Sequence, residues 1–263
     1  MALDANSPFS SVVGLGAFKS EYRIGRVKYV SLTFGVLGLM AAPIALLVGA
    51  ALAYDAYTKH GLARLADALP VPLLVALVAF VIGVAALAEA WRLWPIAARL
   101  YEDGFAFYSR RGLQVVQWSQ VESVLQSVTR HYTNGVYTGT THLYTVQTRD
   151  KTKVLLDDKL GKKVEELGRA IQMGASNALF PGYVHALQSG ERLQFGPLGL
   201  DQNKLYTANK EIAWGEIKAI RISKGVISVK KDKGWFSWTT VTVPRIPNFF
   251  IFWELISRLT KVE

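Results

Sequence analysis

The sequence of 263 residues contains no cysteine, only four histidines, and fewer acidic than basic side chains. Without cysteine, disulfides and thiolate metal sites are excluded, and the composition fits a reducing compartment. The histidines show no metal-ligand spacing such as H-x-x-x-H. The deficit of acidic residues, 20 against 30 basic ones, leaves a formal charge of +10. This excess favours anionic partners such as lipid headgroups, acidic proteins or nucleic acid.

Two long stretches near the N-terminus lack charged side chains altogether, Tyr29–Ala53 and Val71–Ala88. Each has at least the roughly 18 residues that a helix needs to cross the hydrocarbon core of a bilayer. We therefore predict a transmembrane helical hairpin over residues 29–98, preceded by an N-terminal cytoplasmic segment over residues 1–28. The first stretch begins too late and is too long for a cleavable signal peptide. No ionisable residue lies within either stretch, which argues against ion or proton transport.

Basic residues are unevenly distributed around the predicted hairpin. Four of them lie within residues 19–28, and Arg92 and Arg99 follow the second stretch. The connecting segment has two basic residues that are offset by two acidic ones. Because positive charge is enriched in cytoplasmic loops, we predict a multi-pass protein of the cytoplasmic membrane with both termini in the cytoplasm.

Small residues recur at every fourth position along the predicted hairpin. In lipid, such positions let helix backbones approach closely. The two helices are therefore expected to pack on each other, and the alternative is a face that binds another membrane subunit. The helix-packing candidates are Ala41, Ala45, Gly49 and Ala53 in the first stretch, with Ala79 and Gly83 in the second.

The rest of the chain contains an internal repeat. Each copy begins with short strand-like segments, continues as hairpins and ends in a helical segment, and Asn248 is a candidate N-cap of the last helix. This order is that of a pleckstrin-homology-like barrel closed by a C-terminal helix. We predict two such domains, residues 99–188 and 189–263, with a tryptophan of each copy in the core. The repeat places Trp118, Val121 and Val124 at a constant offset of 96 residues from Trp214, Ile217 and Ile220.

Three segments resemble an uncharacterised bacterial family of membrane proteins: Gly190–Leu198, Ile212–Ile217 and Val243–Asn248. Members of that family are similar to this chain along most of its length, with two N-terminal spans followed by tandem pleckstrin-homology-like units. The fold expected is therefore a membrane-anchored α+β protein with a two-helix hairpin and two such barrels. With the charge bias, the resemblance implies the bacterial inner membrane. It implies no activity, cofactor or site residue.

The most distinctive local segment is a basic and aromatic turn in the second predicted domain. Amphipathic rings beside cations suit the surface of an anionic bilayer, so we hypothesise a lipid- or partner-contacting tip. The alternative is a basic turn whose rings pack in the core, and strand alternation directs at least one ring inward. The candidate contact residues are Lys230, Lys231, Lys233, Trp235, Phe236 and Trp238.

No segment carries a catalytic or cofactor signature. Asn134–Thr140 is rich in glycine, but it lacks the strand-to-helix context and the Lys-Ser/Thr of a P-loop, and we interpret it as a flexible hairpin tip. We therefore expect no enzyme activity, no metal and no cofactor. Nucleic acid is not an expected partner, because no recognition-helix pattern accompanies the charge.

The predicted function is that of a non-catalytic binding or scaffold protein tethered to the inner membrane. It would present tandem pleckstrin-homology-like domains to the cytoplasm for contacts with another protein or with anionic lipid headgroups. The alternative is an accessory structural subunit of a larger membrane protein complex, in which the small-residue ladders form the contact face.

Overall fold

The structure, a computed structural model, describes residues 8–232 and 236–262. It is of the α+β class, with an N-terminal helical region and several antiparallel sheets, as predicted at that level. The described residues divide into two compact units, a helical unit over Arg23–Ile96 and a sheet unit built from the residues before and after it. The helical unit is therefore an insertion within the sequence of the sheet unit.

The helical unit consists of two long helices joined by short helical turns. Gly61, at φ 70°, follows the first long helix, and Pro70 begins the second, where the missing N–H of proline costs least. By length and composition both long helices are able to cross a membrane. Only 17% and 11% of their most apolar windows are buried, so most of the residues in these windows are not buried inside the protein. The elements are α1 (Val27–His60), a 3₁₀ turn (Leu62–Arg64), α2 (Leu65–Ala68) and α3 (Pro70–Leu93).

Small residues form the contact between α1 and α3, and they recur every seventh position. At Gly38 an added Cβ would lie 2.8 Å from the carbonyl oxygen of Ala79 and 2.8 Å from the Cα of Gly83, so the two backbones touch. Two turns of a helix take about seven residues, and contacts along a helix pair therefore repeat at that interval. The buried small residues are Gly35, Ala42 and Gly49 on α1 and Ala76, Gly83 and Ala90 on α3.

Only some of the predicted helix-packing residues, which were spaced every fourth position, lie at this contact. Gly49 and Gly83 are buried between the helices, and Ala79 lies against Gly38. Ala41 is exposed, because a four-residue step drifts around the helix surface and leaves the contact line. The remaining candidates, Ala45 and Ala53, are half-buried.

The first half of the sheet unit contains two sheets and one long helix. One sheet has four strands in the order β1-β2-β3-β4, and the other has three in the order β5-β6-β7. The helical unit is therefore inserted between two neighbouring strands of one sheet, β1 and β2. The elements are β1 (Phe18–Arg23), β2 (Ala97–Tyr101), β3 (Gly104–Ser109), β4 (Gly112–Gln117), β5 (Val121–Thr133), β6 (Val136–Thr148), β7 (Lys153–Asp157) and α4 (Val164–Gln188).

The second half repeats this order. Its strands also form a sheet of four and a sheet of three, and a helix follows them. Where the first half carries the helical unit between β1 and β2, the second has only Gly196 and Pro197 between the corresponding strands. The elements are β8 (Leu193–Phe195), β9 (Leu198–Leu200), β10 (Lys204–Tyr206), β11 (Glu211–Ala213), β12 (Ile217–Ser223), β13 (Val226–Lys231), β14 (Ser237–Thr242) and α5 (Phe249–Leu259).

One tryptophan contact recurs in both halves. The indole Nε1 of Trp118 donates to the carbonyl oxygen of Glu102 at 2.8 Å, and that of Trp214 donates to the carbonyl oxygen of Asp201 at 3.0 Å. Both rings are 8% exposed, which confirms their predicted place in the core. A buried indole N–H requires an acceptor, so each half preserves the same backbone turn beneath its tryptophan.

Helix α4 contributes to the cores of both halves. Its first turns bury Val164, Leu167 and Ile171, whereas Leu187 near its end belongs to the core of the second half. The helix continues to Gln188 although Pro181, which usually ends a helix, lies in its interior. An interior proline costs about 3 kcal/mol. Burial of several apolar side chains, each worth about 1.5–3 kcal/mol when complete, offsets that cost.

The two halves of the sheet unit also meet at Asn248. Its backbone N–H donates to the carbonyl oxygen of Val124, and its Oδ1 accepts from the Val124 N–H, both at 2.9 Å. Its Nδ2 donates to the carbonyl oxygen of Glu122 at 3.0 Å. Asn248 occupies the N-cap position of α5, as the sequence predicted. Its side chain makes no capping hydrogen bond and pairs instead with the edge of β5.

Candidate functional site

The basic and aromatic turn lies between β13 and β14. Lys230 is exposed, and Lys231 is half-buried with its Nζ 3.3 Å from Oε1 of Glu216. Phe236 is 89% exposed, whereas Trp238 packs against the core of the second half. Lys230 and Phe236 are therefore accessible to a partner, whereas Lys231 and Trp238 are engaged within the protein.

The remaining two candidates of this turn, Lys233 and Trp235, lie outside the described residues. The same sheet carries further exposed bases, Lys218 and Arg221 on β12 and Lys224 in the turn after it. The second half therefore presents a basic surface that extends beyond the predicted turn. An anionic surface or a phosphate-bearing ligand is the partner that such a surface attracts.

The hairpin of β5 and β6 is longer than predicted. The sequence suggested a flexible loop over Asn134–Thr140, and this is wrong from Val136 onwards, because β6 begins there. Asn134 and Gly135 alone form the turn, and both have positive φ, as a two-residue hairpin turn requires. Tyr132 and Tyr137 face each other near the tip, 60% and 55% exposed, with ring centroids 5.9 Å apart.

An open cleft of about 680 Å³ lies between this hairpin and the turn that joins β12 to β13. It brings together side chains from both halves of the sheet unit, and sequence reasoning missed it because its two sides are far apart along the chain. One local signal was available, since lysine occupies a turn position that usually holds asparagine, aspartate or glycine. The lining residues are Val128, Arg130, Tyr132, Lys224 and Gly225.

A second groove, of about 730 Å³, lies between α4 and α5. Its lining includes Met173 and Phe250, which are 63% and 43% exposed. On its rim Arg169 pairs with Glu165, and Arg258 with Glu254. Because these charges are paired, the groove is mainly apolar, which suits the side chains of a protein partner better than a charged ligand.

Comparison with known proteins places the chain in a family. The model of DUF6585, described as a family of unknown function, matches residues 7–263. The chain belongs to this family. Among the curated proteins, none matches the chain. The DUF6585 match covers both the helical unit and the sheet unit, so the two belong to one conserved family region, and the expected membership of an uncharacterised family is confirmed at this level.

The shifted carboxyl groups of this DUF6585 member lie at the start of a strand, at the start of a helix and in turns. A hydrogen bond from Lys151 lowers the pKa of Glu122, and one from Arg169 lowers the pKa of Glu165. Burial raises the pKa of Asp201, but hydrogen bonds from Tyr206 and from backbone N–H groups outweigh it, so that pKa is lowered. These pairs stabilise local structure and lie at separate places, the pair of Glu165 and Arg169 on the rim of the groove between α4 and α5. Within residues 8–232 and 236–262 there is also no group of histidine and acidic residues that could hold a metal ion.

Proposed function

We propose that the chain is a non-catalytic binding protein, anchored in the bacterial inner membrane, that offers a basic surface to anionic lipid headgroups or protein partners. The observation that carries this proposal is the insertion of an uncovered apolar helical hairpin into a basic sheet unit. The exposed apolar side chains of the hairpin favour a lipid environment, and the basic side chains of the sheet unit favour binding of anionic partners.

Aromatic residues at both ends of the hairpin support its insertion in a bilayer. At one end the Nζ of Lys28 lies 4.8 Å from the ring centroid of Tyr29 and 4.9 Å from that of Trp94. At the other end Tyr54 and Tyr57 are 72% and 52% exposed. At 1.5 Å per residue, Tyr29 and Tyr54 are roughly 37 Å apart along α1. This separation fits a hydrocarbon core of about 30 Å with rings in both interfaces.

Topology follows from the charges around the hairpin. The segments that flank the hairpin, residues 19–28 and 89–99, together carry six basic and two acidic residues. At the opposite end the charges cancel, since Lys59 pairs with Asp55 and Arg64 with Asp67. By the positive-inside rule, both termini and the sheet unit lie in the cytoplasm.

The order of elements supports two tandem pleckstrin-homology-like units. Both halves of the sheet unit have a sheet of four strands, a sheet of three strands and a following helix. In barrels of this kind the helix closes one open end, and the loops and free sheet edges remain available for ligands. The first such unit begins with β1 and holds the helical hairpin as an insertion.

The test uses the full chain reconstituted in nanodiscs of neutral lipid, with co-flotation of added anionic vesicles as the readout. Binding should fall with salt, because its source is electrostatic. The double change Lys230→Glu with Phe236→Ser should reduce co-flotation, whereas Lys210→Glu, the same charge reversal at an exposed lysine of another turn, should not. Equal binding by both variants would contradict this contact surface. Release of the full chain from membranes by carbonate would contradict the anchor.

The alternative, an accessory subunit of a larger membrane complex, draws on a different observation. The groove between α4 and α5 leaves Met173 and Phe250 uncovered on a surface whose charges are paired. This alternative predicts stoichiometric co-purification of one partner in mild detergent, lost on the change Phe250→Glu.

A further inference from the structure

Two of the lysines that the structure describes adopt the left-handed backbone conformation, Lys151 at φ 65° and Lys224 at φ 50°. This conformation is unfavourable for a residue with a Cβ, and asparagine and glycine tolerate it best. At Lys151 the geometry has a structural reason, because its Nζ donates to both carboxylate oxygens of Glu122 at 2.7 and 2.8 Å. Lys224 makes no ion pair or hydrogen bond through its side chain to any described residue, so its conformation lacks that explanation.

The turn at Lys224 has a close counterpart within the chain. Lys224 and Gly225 connect β12 and β13 as Asn134 and Gly135 connect β5 and β6, and all four residues have positive φ. Asn-Gly is the preferred sequence for such a turn. A lysine therefore stands at a position where asparagine would relieve strain, and strain of this kind points to a functional demand on the side chain.

The surroundings of Lys224 suggest the nature of that demand. Across the open cleft lies Arg130 of β5, which likewise has no carboxylate partner among the described residues, and beside it lies Tyr132 with its hydroxyl group. Among the residues that the structure describes, no acidic side chain lines the cleft. Two uncompensated cations that face one space from different halves of the protein favour a doubly charged anion. Guanidinium and ammonium groups with a phenol hydroxyl are the donors that proteins use for phosphate oxygens.

We propose that this cleft binds a phosphate monoester. Arg130 would contact two phosphate oxygens, Lys224 would supply the second positive charge, and the Tyr132 hydroxyl would donate a further hydrogen bond. A monoester fits better than a diester, because its charge near neutral pH approaches −2 and matches the two cations. The inference deepens the proposed function and rests on it, since it names a ligand class for a binding protein. The site is separate from the turn of Lys230 and Phe236.

The experiment measures ligand binding by the full chain in nanodiscs with isothermal titration calorimetry. The soluble probe is glycerol 3-phosphate, with nanodiscs of neutral lipid, and the lipid probe is phosphatidic acid incorporated in the disc. Saturable binding of the soluble probe identifies a free phosphate ester as the source. A rise in the thermal midpoint of the chain that requires phosphatidic acid in the disc, and that phosphatidylserine does not give, identifies a lipid headgroup.

The variants are Lys224→Asn and Arg130→Gln, with Lys151→Asn as the matched control for a left-handed lysine. Each of the first two should weaken phosphate binding about tenfold or more, as expected for loss of a charged hydrogen bond, and the control should bind as the wild type. Lys224→Asn should also raise the thermal midpoint, because asparagine suits the turn, so its loss of binding cannot come from misfolding.

Two results would overturn the inference. One is a wild-type chain that binds neither glycerol 3-phosphate nor phosphatidic acid, and the other is phosphate binding that Lys224→Asn and Arg130→Gln leave unchanged. Either result together with co-flotation that still depends on Lys230 and Phe236 would leave the proposed function standing. Loss of all vesicle binding in the wild type would instead contradict the proposed function itself.

Discussion

A single buried side chain, Asn248, links the two halves of the sheet unit by hydrogen bonds, in addition to the core that they share through α4. It is 6% exposed, it adopts φ 51°, and it replaces a neighbouring strand at the edge of β5. Asparagine suits this place for two reasons, because it tolerates the left-handed conformation and its amide both donates and accepts. No other residue type offers that combination in so small a side chain.

The change Asn248→Ala tests this role. It would leave the Val124 N–H and the Glu122 carbonyl oxygen without partners, at about 1–3 kcal/mol each, and add about 1 kcal/mol of backbone strain. We expect a loss of about 3–7 kcal/mol in unfolding free energy, measured by thermal and chemical denaturation of the full chain in detergent. Asn134→Ala, at φ 51° in an exposed turn, carries the strain alone and should cost about 1 kcal/mol. Equal effects of the two changes would show that the buried hydrogen bonds contribute nothing.

Asp201 makes the stability of the second half depend on pH. Its Oδ2 accepts from the Tyr206 hydroxyl at 2.6 Å, and its Oδ1 accepts from the backbone N–H of Asn203 at 2.7 Å and that of Lys204 at 2.8 Å. These bonds hold its pKa below the ordinary value despite burial. The folded state therefore binds the proton less well than the unfolded state, so Asp201 stabilises the fold above about pH 3.9 and loses that contribution as pH falls through the lowered pKa.

The change Asp201→Asn isolates this effect. The amide oxygen can still accept from the backbone, but the side chain no longer titrates, so the variant should lose less stability on acidification than the wild type. Thermal midpoints measured at a series of pH values from neutral to strongly acidic give the difference directly. Parallel curves for the two proteins below the ordinary pKa of aspartate would contradict the assignment.

At the scale of elements, the contact between α1 and α3 depends on the absence of side chains at Gly38 and Gly83. An added Cβ at Gly83 would lie 2.8 Å from the backbone nitrogen of Leu39. Because the obstructing atoms belong to the backbone, the helices would have to separate, which typically costs about 1–3 kcal/mol. We expect Gly83→Leu to lower the resistance of the hairpin to unfolding by dodecyl sulfate in mixed micelles.

Ala41→Leu is the matched control for this change. It adds a similar apolar volume on α1, but at an exposed position away from the contact. It should leave the unfolding curve unchanged, and it separates a steric effect at the helix contact from a general effect of added hydrophobicity. A loss of resistance as large as that of Gly83→Leu would mean that the contact lies on another face.

The elements also show which features a sequence can predict. The long helices follow from two uncharged stretches, and the hairpins of the second half follow from alternation around Lys224-Gly225. The strand β1 is difficult to predict because its alternating pattern spans only six residues, and its strand conformation depends on pairing with β2. The second half of α4 is difficult to predict because Pro181 usually ends a helix. Its helical conformation depends on packing against the core of the second half, which is distant in sequence. The cleft of Arg130 and Lys224 is formed by tertiary structure alone.

At the scale of the whole molecule, the insertion point of the helical unit has a consequence for stability. The strand β1 carries Glu21, which pairs with Arg99 of β2 at 2.8 Å, and Arg99 is only 8% exposed. The guanidinium of Arg99 also lies 4.6 Å from the ring centroid of Phe9. The segment before the hairpin is therefore part of the sheet unit, and a fragment that starts after the hairpin exposes the edge of β2 and leaves a buried cation without its partner.

Two fragments of the sheet unit test this dependence. In the first, residues 24–96 are replaced by the Gly-Pro turn that joins β8 to β9, so that β1 connects directly to β2. In the second, the chain simply begins at Ala97. The first should be a cooperatively folding, water-soluble protein, whereas the second should be about 3–5 kcal/mol less stable, because removing one partner of a buried ion pair leaves an uncompensated charge.

Urea denaturation of both fragments measures this difference, and Arg99→Met provides the decisive comparison. In the fragment without β1 the change should recover much of the lost stability, since it removes the unpaired charge and keeps an apolar side chain of similar length. In the fragment with β1 the same change should increase the unfolding free energy far less. If the fragment that begins at Ala97 proves as stable as the one that contains β1, then the first strand is dispensable. The helical unit would in that case precede the sheet unit and would not be an insertion within it.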